Sequence, residues 1–322
     1  MGIYLGIDTS NYTTSAALYD ADSGDMRMQK KLLPVRENSI GLKQSDAVFA
    51  HVKQLGGLIE ALFTETTISP DMICGIGVSC WPRRLAGSYM PCFLTGEMAA
   101  QAVAGVLRVP LFRFSHQEGH IAAALYSAGR LDLLQKECIA FHVSGGTTDC
   151  LLVSPGQDGC IEIFCAASSL DLKAGQAIDR IGVKMGLHFP AGPELEQLAL
   201  QWTGPVKVYP VIKGADCCLS GLENQCLRML ENGKSREETA CYCIRFIQAT
   251  LEKMLEAVLR QYGERPIIFA GGVMSNRMIR QYFSQKYGAL FAQPQYSADN
   301  AAGIAVLAAH GINNTSQTKP AK

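Results

Sequence analysis

The sequence lacks the features that mark several large classes of protein. It carries 29 Lys and Arg residues against 29 Asp and Glu residues, so its formal net charge is zero and no basic stripe indicates nucleic-acid binding. No apolar run is long enough to cross a bilayer, and no secretory signal is recognisable. None of the twelve Cys residues forms a Cys-x-x-Cys pair. We therefore expect a cytoplasmic protein with no membrane partner, in which any RNA contact needs a local patch or a second protein.

Signatures of hydrolases are missing as well. The sequence has neither the Gly-x-Ser-x-Gly motif of serine hydrolases nor the His-Glu-x-x-His order of zinc proteases, so protease activity is not expected. Cys217 and Cys218 cannot easily share one tetrahedral metal site because they are adjacent, and Cys241 and Cys243 lie in a predicted helix. We assign no function to these thiols.

The order of strands and turns indicates an internal duplication. A buried strand at 3–8 meets a polar turn and a second strand at 15–19, and the same design returns at 139–143 and 150–153. A third strand, at 266–270, runs into a Gly-Gly turn that opens a helix. The strands alternate with helices, which predicts an α/β fold.

The length predicts two lobes, because single domains rarely grow to 322 residues. We place the first lobe at 1–130 and the second at 131–312, and we expect a disordered polar tail at 313–322. Apolar periodicity predicts helices near 44–65, 96–107, 116–128, 173–186, 192–202, 235–261, 275–286 and 299–310.

The segment His116-Gln117-Glu118-Gly119-His120 is the most informative motif. Two imidazoles four residues apart on a helix point the same way and can share one metal ion, although such pairs also occur on solvated helices. The motif also contains a carboxylate, Glu118, and the first strand ends in another, Asp8. These two acids are our candidate catalytic residues.

The hairpins, the third Gly-Gly turn and the His motif together resemble the tRNA threonylcarbamoyladenosine transferase family. The order of the hairpins is also similar to the two-lobed fold of actin, sugar kinases and Hsp70 chaperones. Seven motifs follow the family order. They lie at 115–120, 142–146, 174–180, 189–196, 219–222, 270–277 and 298–300.

The resemblance implies an enzyme that moves a threonylcarbamoyl group from an adenylate to a tRNA adenosine. It implies a divalent metal, iron, zinc or manganese, held by His116, His120 and Asp299, which would act as a Lewis acid. It also implies an adenine nucleotide or carbamoyl-type adenylate as ligand. The residues implied to bind that ligand are His142, Val143, Ser144, Gly145, Gly146, Asp179, Gly192, Glu196 and Asn276.

Four positions depart from the family pattern. The first hairpin reads 9–14 Thr-Ser-Asn-Tyr-Thr-Thr instead of Thr-Ser-Cys-Asp-Glu-Thr, and the bulky segment 80–88 replaces a Gly-Pro-Gly loop. This chain has Thr147 where the family usually has a His, and Glu223 where the family usually has a Lys. The pattern is typical of a lineage variant or of a paralogue with a changed acceptor.

Three alternatives stay open at this point. The chain could transfer a carbamoyl-type group to an acceptor other than tRNA, it could be a nucleotide-binding regulatory protein without transfer activity, or it could be a kinase with Asp8 as base. The family works with a related subunit on the first lobe, so the helical faces near 44–65 and 96–107 are possible docking surfaces. Two interpretations of Arg83 and Arg84 stay open: they lie on a solvated loop without a ligand, or they contact phosphate or RNA.

Overall fold

A computed structural model describes residues 2–10, 12–34, 42–156, 160–297 and 301–317. The chain divides into two compact units. Unit 1 comprises Met1–Lys136, Ser154–Ile163 and Gln295–Lys322, and unit 2 comprises Glu137–Val153 and Phe164–Pro294. Over the described ranges, no helix has the length and apolar character needed to cross a membrane.

Unit 1 is built on a five-stranded sheet in the order β3-β2-β1-β4-β5. β1 pairs antiparallel with β2 and parallel with β4, and every residue of β1 is buried, as its continuous apolar sequence predicts. The exposed edge strand β3 has the sequence Met-Arg-Met-Gln-Lys-Lys-Leu. Because this sequence has no apolar run, the strand was not predicted. The strands are β1 Ile3–Thr9, β2 Thr13–Asp20, β3 Met26–Leu32, β4 Ile73–Trp81 and β5 Leu111–Ser115.

The helices of unit 1 include the last helix of the chain. They are α1 Gln44–Thr64, α2 Phe93–Leu107, α3 His116–Ser127 and α10 Ala301–Gln317, with short 3₁₀ helices at Pro70–Met72 and Leu131–Gln135. α10 lies directly on the sheet: a Cβ atom at Gly6 would sit 2.1 Å from the Ala301 carbonyl oxygen, and one at Gly77 would sit 2.6 Å from that of Ile304.

The position of α10 differs from the predicted lobe boundary. We placed 301–312 in the second lobe, but glycines on two strands of unit 1 let the helix approach their backbone closely. The helix also continues to Gln317, past the expected start of a disordered tail at Asn313. Residues 318–322 lie outside the described residues.

Unit 2 repeats the sheet of unit 1. Its order is β8-β7-β6-β11-β12, with β6 antiparallel to β7 and parallel to β11, so the pattern of three meander strands followed by two parallel strands recurs. This recurrence confirms the predicted duplicated α/β fold. The strands are β6 Cys138–Val143, β7 Thr148–Pro155, β8 Ile161–Ser168, β11 Ile267–Ala270 and β12 Leu290–Phe291, of which the residues within Ser154–Ile163 are counted with unit 1.

Unit 2 differs from unit 1 in the long segment between its third and fourth sheet strands. This segment carries a small hairpin, β9 Val211–Lys213 and β10 Asp216–Cys218, which the sequence did not reveal. It also carries most of the helices. They are α4 Ala174–Lys184, α5 Gly192–Ala199, α6 Ser220–Glu231 and α7 Arg236–Tyr262, followed beyond β11 by a 3₁₀ turn at Gly272–Ser275, α8 Arg277–Tyr287 and α9 Pro294–Ser297.

Candidate functional site

The carboxylate of Asp8 and the imidazole of His116 form a buried pair in unit 1. Asp8 ends the inner part of β1 and is 1% exposed, and its Oδ1 lies 3.1 Å from His116 Nδ1. The hydroxyl of Ser79, on the neighbouring strand β4, donates to the same oxygen. Burial favours the protonated form of Asp8, but the His116 imidazole and hydrogen bonds from two serines hold its pKa below the ordinary value. An ionised Asp8 therefore accepts the Nδ1 proton of His116.

The two histidines of the motif lie side by side, as predicted. The ring centroids of His116 and His120 are 4.6 Å apart, and Phe93 packs edge-on against His116. The Asp8 contact to Nδ1 orients the His116 ring, which is how carboxylates position metal-binding histidines.

The residues present fit a divalent metal. Two neutral imidazoles and a carboxylate suit iron, zinc or manganese. The third ligand implied by the family, Asp299, lies outside the described residues. In the part of the chain that is described, no group of three or more His, Cys, Asp or Glu side chains is placed to hold a metal ion.

Glu118 lies on the opposite face of α3 from the two histidines. Its carboxylate accepts from the Ser115 amide at 2.7 Å, while the Ser115 hydroxyl accepts from the Glu118 amide at 3.2 Å, which together form a capping box. Arg84 donates to both carboxylate oxygens, with each N–O distance 3.2 Å. Glu118 is fully buried, and these contacts fix the first turn of α3; its catalytic role stays a prediction.

The Arg84 side chain is half exposed and is held by several contacts within unit 1. Besides Glu118, its Nη2 donates to the Arg113 carbonyl oxygen at 3.2 Å, and its guanidinium lies 5.6 Å from the ring centroid of Trp81. The segment that replaces a Gly-Pro-Gly loop thus supplies the cation for a buried carboxylate. The ion pair with Glu118 accounts for the arginine at position 84 without an RNA contact.

The turn after β6 is stabilised by close backbone packing in unit 2. The Ser144 hydroxyl accepts from the amides of Gly146 and Thr147 at 3.2 and 3.1 Å. A Cβ atom at Gly175, in the first turn of α4, would lie 2.6 Å from the Gly145 amide nitrogen.

The Gly-Gly turn after β11 packs against the end of the neighbouring strand, β6. A Cβ at Gly271, whose φ is +99°, would lie 2.3 Å from the carbonyl oxygen of Val143. Val143 is fully buried, so its side chain belongs to the core. It can contribute only backbone atoms to a ligand.

Three of the predicted ligand-binding residues share a small pocket in unit 2. Gly192, Glu196 and Asn276 line a cavity of about 120 Å³, which we call the Glu196 pocket. Glu196 accepts from the Arg277 amide, and Asn276 Oδ1 accepts from the Ile279 amide at 3.1 Å. Each side chain thus braces the start of α8 with one polar atom and has a second polar atom for a ligand.

Asp179 and His142 are both in unit 2, on α4 and β6 respectively. Asp179 Oδ1 accepts from the Ala191 amide at 2.8 Å, which fixes the turn before α5. His142 is opposite Asp149 in the β6–β7 register, and Asp149 is 3% exposed. Sequence reasoning missed Asp149 and Ser79, although each is a polar residue inside a strand that is otherwise apolar, which is the signal that could have found them.

Glu223, the predicted charge inversion, is an ion-paired residue. Its carboxylate lies 2.7 Å from Lys184 Nζ and 3.5 Å from Arg180 Nη1. The hydrogen bond from Lys184 and the charges of both cations hold the pKa of Glu223 below its ordinary value. The twelve cysteines are free thiols, and burial raises the pKa of Cys217 to about 11, in agreement with a structural role.

Two comparisons of the sequence with known proteins point to the same family. A family model described as tRNA N6-adenosine threonylcarbamoyltransferase matches residues 37–306. A protein of that name from Methanopyrus kandleri is 27% identical over 301 residues, which cover 91% of this chain and 84% of that protein.

Solved structures show the fold. HypF from T. kodakarensis has a TM-score of 0.61 at 14% identity, covering 98% of this chain and 48% of that one. The activator of the 2-hydroxyisocaproyl-CoA dehydratase from Clostridium difficile, solved with bound ADPNP, has a TM-score of 0.53 at 12% identity and covers 99% of both chains. These likenesses confirm the predicted α/β fold of the actin, sugar kinase and Hsp70 class.

Proposed function

Because the chain belongs to the tRNA N6-adenosine threonylcarbamoyltransferase family, we propose that it transfers a threonylcarbamoyl group from an adenylate to an adenosine of tRNA. The observation that carries the proposal is that the family match extends over both units, and each unit places its motif residues at the ends of its inner strands. The reaction is an acyl-type transfer without a covalent enzyme intermediate.

Unit 2 would bind the adenylate. The Glu196 pocket, the Ser144 turn and Asp179 supply backbone amides, a glycine-lined wall and side chains with spare polar atoms, which suit phosphate and ribose. A nucleotide-bound relative of the same fold, the ADPNP complex, is consistent with this assignment.

Unit 1 would hold the metal through His116 and His120, with Asp299 as third ligand. A bound divalent metal supplies Lewis-acid stabilisation of charge that develops on the transferred group. In this chain, Asp8 holds the proton on His116 Nδ1 and orients the ring, and the Glu118–Arg84 pair fixes the first turn of α3. Asp8 thus acts through His116, as a positioning residue.

One observation favours the alternative of a changed acceptor. Glu223 is paired with two cations of α4, so that Arg180 and Lys184 are partly neutralised where the family pattern carries an additional lysine. A weaker positive field would lower the affinity for a polyanionic acceptor. A non-tRNA acceptor is therefore the second candidate.

The tRNA substrate would reach this chain with the help of a related subunit. Large apolar side chains are exposed on two helices of unit 1, with Phe49 62% and Val52 59% exposed on α1, and Met98 61% exposed on α2. We propose these two helices as the docking surface, because contiguous exposed apolar patches mark such sites. We place the complex in the cytoplasm, where such tRNA is modified.

The test is mass spectrometry of tRNA nucleosides after incubation with threonylcarbamoyl-adenylate and unmodified tRNA, with and without a partner subunit. We expect modified adenosine with the unaltered protein, loss of product in His120→Ala, and full activity in the control His188→Ala, whose side chain is exposed and paired with Glu194. Consumption of the adenylate without tRNA product would favour another acceptor.

A further inference from the structure

Unit 2 contains a second cavity that is larger than the Glu196 pocket and shares no lining residue with it. Its volume is about 600 Å³, within the range of roughly 300 to 1,000 Å³ of small-molecule sites. Its walls are the end of α5 with the loop that follows, the first half of α7 and one face of α8. No residue of the seven family motifs lines it, so the proposed transfer reaction does not account for it. We call it the Arg245 cavity.

The charge of its walls favours an anion. Arg245 is the one charged residue among the described lining residues, and none of them is acidic. Its Nη1 donates to Gln248 Oε1 at 2.9 Å, and Gln248 is 6% exposed, so a buried amide orients the guanidinium. A guanidinium has five N–H donors, which leaves several for a ligand.

A buried donor in the same wall has no acceptor. The indole Nε1 of Trp202 is inaccessible to solvent and has no hydrogen-bond partner in the described structure. Gly204 folds over the ring, because a Cβ atom there would lie 2.6 Å from Cζ2 and 3.1 Å from Nε1 of Trp202. A buried donor without a partner is unfavourable, so this wall carries an unmet hydrogen-bonding requirement.

The α8 wall presents two amides. Gln281 and Gln285 are four residues apart, so they lie on one face of the helix, and both line the cavity. Each amide offers a donor and an acceptor, which is the pattern that pairs with the edge of a nucleobase. We propose that the Arg245 cavity binds a nucleoside monophosphate, with its phosphate on Arg245 and its base on the two glutamine amides.

The test uses the fluorescence of Trp202 during titration with AMP. The chain has two Trp residues, so Trp81→Phe leaves Trp202 as the reporter. In this background we expect a saturable change, and Arg245→Gln should weaken AMP binding roughly 10- to 100-fold, the cost of losing a charged hydrogen bond. Arg260→Gln removes the same charge from an exposed position of the same helix, α7, and should bind as tightly as the parent.

Calorimetry separates this site from the Glu196 pocket. We expect two AMP molecules per chain in the unaltered protein and one in the Gln281→Ala, Gln285→Ala double variant, whose substitutions lie on an exposed helix face and should not affect folding. The proposal would be overturned if Arg245→Gln and the double variant both bound AMP with the affinity and stoichiometry of the unaltered protein. Inorganic phosphate that binds as tightly as AMP would overturn the assignment of a nucleotide. A Trp202 response in a protein that fails to modify tRNA would refute the proposed transfer reaction alone.

Discussion

The two units build the same sheet and stabilise the ends of its inner strands by different means. β1 and its parallel neighbour β4 bring Asp8 and Ser79 together, and the equivalent strands β6 and β11 bring Val143 and Gly271 together. In unit 1 the contacts join side chains: a buried carboxylate, a hydroxyl and an imidazole. In unit 2 the contacts join two backbone segments, and Gly271 is required there because a side chain would collide with the Val143 backbone.

This difference shows how one scaffold serves two kinds of chemistry. Side chains that meet at a strand end can hold a charge and orient an imidazole, as Asp8 does for His116. Backbone that meets backbone leaves amides and a narrow concave surface, which suits a phosphate or a ribose. Four changes would sharpen or break this comparison.

The largest effect is expected from Gly271→Ala in unit 2. The new Cβ would lie 2.3 Å from the Val143 carbonyl oxygen at a φ of +99°, so the backbone of the turn must move. We expect the free energy of unfolding to fall by about 3 kcal/mol, measured by urea denaturation. Gly272→Ala is the matched control, because nothing lies within 4 Å of its Cβ position. Equal midpoints for the two variants would contradict close packing.

Asp8→Asn tests the side-chain contact of unit 1. The variant keeps the shape of Asp8 but removes the charge that orients His116, so we expect tRNA modification to slow roughly 100-fold and Zn²⁺ affinity to fall. Both are measurable on the folded variant. Glu97→Gln, which breaks an exposed pair with Arg113 in the same unit, should leave both quantities unchanged. Unaltered metal affinity in Asp8→Asn would show that Asp8 does not orient the ligand.

Arg84→Gln removes the counter-charge of a fully buried carboxylate. We expect a loss of about 2 kcal/mol in unfolding free energy, less than for a fully buried pair because the Arg84 side chain is 45% exposed. Glu118→Gln added to Arg84→Gln should recover part of that loss, since no buried charge then remains. Additive losses in the double variant would show that the two side chains are not coupled.

The smallest effect concerns Asp171 in unit 2. Burial favours its protonated form, but hydrogen bonds from the Ser220 hydroxyl and from three amides hold its pKa below the ordinary value. The folded pKa is lower than the unfolded value of about 3.9, so this stabilisation is complete above about pH 5 and is lost as the pH falls through the folded pKa. Asp171→Asn should therefore lose less stability than the unaltered protein between pH 4 and pH 2 in thermal denaturation. Parallel curves would contradict this.

The sequence was sufficient for those parts that depend on local pattern. Apolar periodicity located α1 and α7 to within a few residues, and the spacing of His116 and His120 correctly placed their rings side by side. Both results follow from helix geometry alone, which needs no knowledge of distant residues.

The remaining parts depend on contacts between distant segments. Nothing near Glu118 in the sequence shows that its counter-charge is Arg84, which lies 34 residues earlier in the chain. The return of α10 to unit 1 depends on glycines nearly 300 residues earlier, at positions such as Gly6. The roles of the metal and nucleotide residues stay predictions, and Asp299 lies outside the described residues.

The position of α10 also bears on how the protein is made. A ribosome synthesises the chain from its first residue, so the strands of unit 1 leave the exit tunnel long before the helix that covers them. Until Ala301 and Ile304 arrive, the glycine-bearing face of β1 and β4 has no cover, whereas nearly all of unit 2 is already available. During translation, unit 2 can thus complete its core first, and the nascent unit 1 is the part that chaperones would need to protect.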